Sequence, residues 1–269
     1  MVNSKVQVLT VAGNDCDGSA GMPADLHAFF ISGVYGMGIL TAAVAGNSYE
    51  ISDQVLMPTE FIDHQFAALK KDFKIAATKT GMLGTSAVIR CFHRNFAPES
   101  FGKLVVDPVI ITKHGNFLLD NEAYDDFVKL IIPMADVITP NAFEAQALSG
   151  VEIESRESMM TSAKRLQELG AKNVIVKGKH ENPTQEKVED LVLKADGSYQ
   201  WLSMPYVSTE RLNGTGDVFS AVITAEIAKG NDLFTAAEIA KNVVYDSISK
   251  PIIVGHRHGP INLWNAHSK

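Results

Sequence analysis

Leu212-Asn213-Gly214-Thr215-Gly216-Asp217 sets two glycines, a threonine and a carboxylate directly before an apolar run of helical character. A tight turn explains the glycines and an N-cap explains the acid. A site that binds an anion and does chemistry beside it explains both together. Backbone N–H groups at a helix N-terminus attract anions, and the helix dipole adds to that attraction. Gly214 and Gly216 let a phosphate come close to the backbone on either side of Thr215. Asp217, within one turn of such an anion, is placed to take a proton from a hydroxyl. An anion hole with a base beside it is what phosphoryl transfer to an alcohol requires. That reaction depends on positioning and charge stabilisation more than on covalent chemistry.

Other groups with chemical capacity recur along the chain. The loop Gly13-Asn-Asp-Cys-Asp-Gly-Ser-Ala-Gly21 has no G-x-G-x-x-G, so it is not a dinucleotide fingerprint. Gly13 and Gly18 have P-loop spacing, but Ser19-Ala20 stands where Lys-Ser/Thr is required. What remains is a loop able to close over a small polar substrate with its backbone and Asn14. Met82, bracketed by Gly81 and Gly84, suits either a soft wall for a flat ligand or a core position. Asp107 follows a strand. Asn141 and Glu144 share a face at a helix start, where they can organise Mg²⁺ or form a capping box. Lys177 ends a strand, where a lysine either neutralises phosphate oxygens or is simply solvated. The histidines of Gly255-His-Arg-His-Gly-Pro260 have no metal spacing and read as structural or surface residues.

These residues need a frame that gathers them, and the pattern supplies one. Strands are expected at residues 5–13, 36–46, 74–80, 103–109, 135–141 and 172–178, with a hairpin over 188–204 around Asp196-Gly197. Helices are expected at 22–32, 58–72, 85–96, 121–133, 158–170, 215–230 and 233–250. Strand and helix in alternation imply an α/β fold, a mostly parallel central sheet covered by helices on both faces. With no linker or repeat, residues 1–269 read as a single domain. In such sheets ligands sit beyond the carboxyl ends of the strands. Asn14, Asp107, Asn141, Lys177 and the loop before Asp217 all fall there.

Composition narrows the classes. A net charge of −7 argues against a nucleic-acid binder, though a local site can still attract an anion. Two cysteines, Cys16 and Cys91, make no disulfide framework or zinc spacing, so a cytoplasmic protein is expected. The apolar run before Gly13 reads as a first strand rather than a signal peptide, and no window approaches the ~18 apolar residues of a membrane span.

Taken together, "LTVAGNDCDGSAGMPADLHAF", "KTGMLGT", "VVDPVI", "ITPNAFEA", "VIVKGKH", "NGTGDVFSA" and "VGHRHGP" resemble, in order and spacing, the hydroxymethylpyrimidine kinases and closely similar pyridoxal kinases of the ribokinase superfamily. The resemblance runs from about residue 6 to 265. It implies a ribokinase-like three-layer α/β/α sandwich, commonly a homodimer. The activity it implies is ATP-dependent phosphorylation of a hydroxymethyl group on a heteroaromatic ring. ATP and Mg²⁺ come with it, and it leaves room for a monovalent cation. Carried over residue by residue, Asp217 is the base, and Gly214, Thr215 and Gly216 form the anion hole. Lys177 and Asn141 contact ATP with Thr215 and Gly216. Glu144 and Asp107 lie at the metal. Asn14, Ala20, Asp25, Met82 and Val109 line the ring pocket, and the adenine lies near the C-terminal helices.

Two departures bear on the substrate. Pyrimidine kinases carry a glutamine that bonds the aminopyrimidine where this chain has Gly46. The loss of that partner weakens selection for that ring, which leads to the expectation of a pyridoxal kinase. The alternative is a hydroxymethylpyrimidine/phosphomethylpyrimidine kinase. A non-catalytic vitamin-binding protein is the reading from another class, and the intact Gly214–Asp217 and Asn141/Glu144 motifs argue against it. Close relatives in both branches usually carry cysteine where this chain has Asp217, so a covalent thiol adduct with a substrate aldehyde is not expected here.

Overall fold

The computed structural model describes residues 4–111, 119–180 and 184–267. The strands are β1 (Gln7–Asp15), β2 (Tyr35–Gly46), β3 (Ile51–Leu56), β4 (Ile75–Thr80), β5 (Lys103–Val106), β6 (Val137–Ile138), β7 (Asn173–Val176), β8 (Lys187–Leu193) and β9 (Tyr199–Pro205). The helices are α1 (Gly21–Ile31), α2 (Thr59–Asp72), α3 (Ser86–Asn95), α4 (Pro98–Phe101), α5 (Asn121–Asp126), α6 (Ala142–Ser149), α7 (Arg156–Glu168), α8 (Thr215–Ala228), α9 (Leu233–Ser249) and α10 (Leu263–His267). All the strands join one sheet in the order β3-β2-β1-β4-β5-β6-β7-β8-β9. The six from β2 to β7 run parallel, while β3 at one edge and β8 and β9 at the other pair antiparallel.

The two-residue period of a strand divides the core into two layers. Leu9, Val11, Leu104, Val106, Val174 and Val176 point to one face, packed against side chains of α2, α3, α5 and α7. Val8, Val105, Val137 and Ile175 point to the other, against α1, α8 and α9. Helix α8 is buried continuously from Val218 to Glu226 and packs on both α1 and α9. A helix apolar around most of its circumference belongs inside the fold, and this one carries the Gly214–Asp217 turn at its head.

The structure departs from the sequence reading in several elements. Strand β3 was not expected: its six residues are all exposed, so it lacks the buried stripe that marks a strand. Helix α6 is short and follows the Asn141 cap directly. The helix expected over 121–133 is α-helical only to Asp126, then a π-turn over Phe127–Ile131 and a 3₁₀ turn over Ile132–Met134. Pro133, which lacks an N–H and crowds the preceding turn, accounts for the change of winding there. The strand expected over 135–141 is regular only at Val137–Ile138, though Lys177 N–H still bonds the Pro140 carbonyl and Asn141 bridges to Lys177. No helix among the described residues is long and apolar enough to cross a membrane.

Candidate active site

Parallel strands bring their carboxyl ends to one edge, where the heads of α1, α6 and α8 also lie. Gly214 has φ 85°, and a Cβ there would lie 2.3 Å from the Ser19 carbonyl oxygen. Glycine is therefore needed both for the left-handed backbone and for the close contact with the first loop. Val218 N–H bonds the Gly214 carbonyl, and Thr215 N–H and Oγ1 bond that of Leu212. The N–H groups of Gly216 and Asp217 have no acceptor among the described residues. These are the orphan donors of a helix N-terminus. A Cβ on Gly216 would lie 3.4 Å from Lys177 Nζ and 3.8 Å from Asp107 Oδ2. The turn thus faces a cation and a carboxylate.

Lys177 Nζ donates to Asp107 Oδ1 at 3.2 Å, and Ser220 Oγ donates to Asp107 Oδ2 at 3.2 Å. Burial pulls the Lys177 pKa down, but Asp107, Glu144 and Asp217 outweigh it, so the ammonium is held above its ordinary value. Sequence reading missed Ser220. Its only signal was its place one turn after Asp217 on the same helix face. Asp217 is half-buried, and the backbone N–H of Gly21 at the head of α1 favours its charged form. Burial pushes its pKa up against the pull of Lys79; Asp107 adds to the rise, and Lys177 opposes it. Asp15, at the end of β1, is raised to about 6 by burial and by the charges of Asp217 and Asp17.

The residues expected at the ring pocket do not all reach a surface. Asn14 and Ala20 are half-buried at the two ends of the first loop. A Cβ on Gly13 would lie 2.8 Å from Met82 Cε, so the Met82 side chain lies over the start of that loop. Val109 has φ 41°, the single positive φ of a non-glycine among the described residues. A β-branched residue there is strained, and such strain concentrates at functional sites. Asp25 differs from expectation: it is fully buried, and both its oxygens are engaged inside the protein. Oδ1 accepts from Lys79 Nζ at 2.5 Å and Oδ2 from Thr10 Oγ1 at 2.6 Å. Burial pushes Asp25 up to about 7 against the pull of Lys79. The pair lies beneath the site rather than in its wall. At Gly46 the Cys16 thiol donates to the carbonyl at 3.3 Å and accepts the N–H at 3.4 Å. A thiol from the first loop therefore occupies the backbone at Gly46, the position where the resemblance to pyrimidine kinases implies a glutamine.

Asn141 and Glu144 form the capping box: Glu144 N–H donates to Asn141 Oδ1 at 2.9 Å, and Asn141 N–H to Glu144 Oε2 at 2.8 Å. Glu144 Oε1 also accepts Ile110 N–H, at 3.3 Å. Burial raises Glu144 to about 7, with Lys177 opposing and Asp107 adding. Among the described residues no group of three or more His, Cys, Asp or Glu is placed to hold a metal alone. Two carboxylates and an amide beside a phosphate-binding turn fit a Mg²⁺ that keeps its waters and is shared with substrate phosphates.

A cavity of about 670 Å³ opens beside these groups. Asn141, Lys177, Thr215 and Gly216 line one part, and Val188, Met204, Leu212, Val244 and Ile248 supply its apolar lining. Its volume lies within the range of small-ligand sites. Its two kinds of lining suit a phosphate tail and a flat base.

The phosphomethylpyrimidine kinase family model matches residues 15–262 of this chain. The chain is 45% identical over 259 residues to a hydroxymethylpyrimidine/phosphomethylpyrimidine kinase of Haemophilus influenzae, covering 96% of each protein. Among solved structures it is similar to Bacillus subtilis pyridoxal kinase in an ADP complex, with TM-score 0.87 and 33% identity over 96% of this chain and 97% of that one. It is also similar to Staphylococcus aureus pyridoxal kinase in complex with AMP-PCP and pyridoxal, with TM-score 0.86 and 32% identity over 97% and 94%. The three-layer ribokinase-like fold and a kinase activity follow. On the ring, the curated relative favours a hydroxymethylpyrimidine over the expected pyridoxal, while the solved neighbours are pyridoxal kinases.

Proposed function

Because this chain belongs to the phosphomethylpyrimidine kinase family, we propose that it phosphorylates a hydroxymethylpyrimidine and then the resulting phosphomethylpyrimidine, with ATP as donor. One observation carries the reading: the free N–H groups after Gly214 face Lys177 and Asp107, with Asp217 beside them. ATP would lie in the larger cavity, its phosphates at Asn141, Lys177 and the Thr215-Gly216 backbone and its base among the apolar residues. The N–H groups of Gly216 and Asp217, with Lys177, hold the transferring phosphoryl group and stabilise its charge. Asp217 takes the hydroxymethyl proton as the hydroxyl oxygen attacks the γ-phosphorus. The bond from that phosphorus to the bridging oxygen breaks, ADP leaves with that oxygen, and Asp217 returns the proton to water. In the second transfer an oxygen of the substrate's own phosphate attacks. Mg²⁺ bound with ATP would be held by Asp107 and, through its waters, by Glu144 and Asn141. It would neutralise phosphate charge. Asn14, Ala20, Met82 and Val109 border the ring, and Asp25 supports them from below.

A second reading, pyridoxal as acceptor, is favoured by Gly46, which offers no side chain to an aminopyrimidine, and by the solved neighbours. One assay separates the two. With MgATP, the same preparation is offered hydroxymethylpyrimidine, pyridoxal and pyridoxine. The proposal expects the pyrimidine to have the highest kcat/KM; a higher value for either pyridine replaces it with the second reading. Gly46→Gln sharpens the test. A Cβ at 46 would come 3.3 Å from the Glu50 carbonyl, a contact relieved by a small shift of the turn. The variant is expected to raise the pyrimidine-to-pyridoxal kcat/KM ratio by about tenfold, the worth of one net hydrogen bond of ~1.4 kcal/mol. An unchanged ratio removes position 46 from ring selection.

The proposal includes a homodimer formed through β3. This edge strand is exposed throughout, with Ile51 at 70% and Val55 at 60% exposure on one face. An open edge strand with exposed Ile51 and Val55 can take another chain. Ile51→Lys/Val55→Lys is expected to convert a dimer to a monomer in sedimentation equilibrium. A mass identical to that of the unaltered protein refutes this surface.

A further inference from the structure

A second cavity, of about 350 Å³, lies outside the groups described above. Asp17 of the first loop and Asn47, Ser48 and Tyr49 of the β2–β3 turn form one side. Val254, His256 and His258 of the segment after α9 are on the other. We propose that this cavity is the outer half of the acceptor site, and that Tyr49 and His256 select heteroaromatic alcohols by stacking on their rings. The inference rests on the reading of the chain as a kinase of such alcohols.

Four observations converge on it. First, His258 lines both this cavity and the larger one, so the two are neighbours. A kinase needs its donor and acceptor sites to meet at the phosphoryl group, and two cavities that share His258, one of them lined by Thr215 and Gly216, suit that need.

Second, the segment carrying the two histidines is tied to both sides of the site. His256 N–H donates to Ser48 Oγ at 3.1 Å, and His258 N–H to the Ser48 carbonyl at 2.9 Å. Arg211 Nη1 donates to the Val254 carbonyl at 2.8 Å, and Asn213 Nδ2 to the His258 carbonyl at 3.3 Å. Asn213 directly precedes the anion-hole turn, so hydrogen bonds join the cavity's wall to the phosphoryl site.

Third, the rings of Tyr49 and His256 are near-parallel at 17°, with centroids 6.3 Å apart. That spacing is at the long end for aromatic pairs. Both residues are exposed. Each lines the cavity with an aromatic ring.

Fourth, neither Lys nor Arg lines the cavity, so a free phosphate would find no counter-charge there. Its volume is near the lower limit for small-ligand sites, suited to a single ring and small for a nucleotide. Asn47 follows Gly46 directly. Stacking supplies, at that edge, a hold on the ring that does not depend on the missing glutamine.

The test is steady-state kinetics of Tyr49→Ala, Tyr49→Phe and His256→Ala with MgATP and the alcohol best used by the unaltered protein. Calorimetric titration of the same alcohol without nucleotide accompanies it. Stacking of a base on an aromatic side chain is worth at least ~1 kcal/mol, about fivefold. Y49A and H256A are therefore expected to raise the acceptor KM and Kd by about fivefold or more, with the ATP KM unchanged. Y49F should restore both. An unchanged acceptor KM and Kd in both alanine variants overturns the proposal. So does a Y49F as weak as Y49A, and so does a parallel rise in the ATP KM, which would mark a structural disturbance of the turn. Ring binding that Y49A abolishes in a protein that turns over no alcohol would defeat the kinase reading and leave the stacking standing. Turnover with Y49A binding unchanged would do the reverse.

Discussion

Asp217→Asn lowers kcat by at least ~100-fold, the low end for a general base, while the Kd values for ATP and for the acceptor stay close to those of the unaltered protein. The amide keeps the size of the carboxylate, so the turn and its donors remain. What disappears is the ability to take a proton. The structure makes the same residue sensitive to pH. Burial and Asp107 raise the Asp217 pKa above that of a free carboxylate, and Lys79 and Lys177 hold the rise in check. The base works only when ionised. In the unaltered protein, kcat/KM therefore rises with pH as Asp217 loses its proton, with a midpoint above 3.8. That limb should be absent from the residual activity of Asp217→Asn. Asp15 is the competing base: it stands at the end of β1 with its pKa raised to about 6. A variant that keeps full turnover, with an acidic limb near pH 6 that Asp15→Asn removes, would transfer the role to Asp15.

Much of this arrangement was legible in the chain because it is local. The Asn141/Glu144 capping box spans three residues, and the structure places both bonds where the spacing requires them. Gly214 and Gly216 announce a turn because their chemistry lies in the backbone. The strand-to-helix rhythm gave the parallel sheet, and with it the common edge that gathers Asn14, Asp107, Asn141 and Lys177. What was not legible depends on partners distant in sequence. Nothing in residues 79–84 tells that Lys79 is fully buried, since its partner lies 54 residues away. Asp25 likewise reads as a pocket residue until Thr10 and Lys79 are seen to occupy both its oxygens. Strand β3 has no buried face for a pattern to reveal. The ring preference illustrates a different limit. Gly46 says which hydrogen bond is lost, but not what takes its place, and the reading of pyridoxal rested on the loss alone.

The buried pair supports the second large effect. Lys79→Met is expected to destabilise the protein by about 3–5 kcal/mol near neutral pH, the usual cost of leaving one member of a buried ion pair alone. Asp25 would then be left with only the Thr10 hydroxyl. The loss should depend on pH, and its sign can be worked out. The ordinary Asp25 pKa is 3.8, whereas the folded value is about 7 even with Lys79 pulling it down. Without Lys79 it rises further. Between the two values the folded chain keeps a proton that the unfolded chain has released. Stability therefore falls as pH climbs through that window. The deficit of Lys79→Met should be larger at pH 8 than at pH 5 in urea unfolding, and Asp25→Asn in the same chain should recover part of it. Lys79 also pulls the Asp217 pKa down. Its removal should move the acidic limb of kcat/KM to higher pH, which a defect of packing alone would not do. A deficit independent of pH, or an acidic limb that stays in place, would mean that Lys79 fills space beneath the site without setting its charge. The same burial that makes the pair a stability risk holds a positive charge next to the base, where solvent cannot screen it.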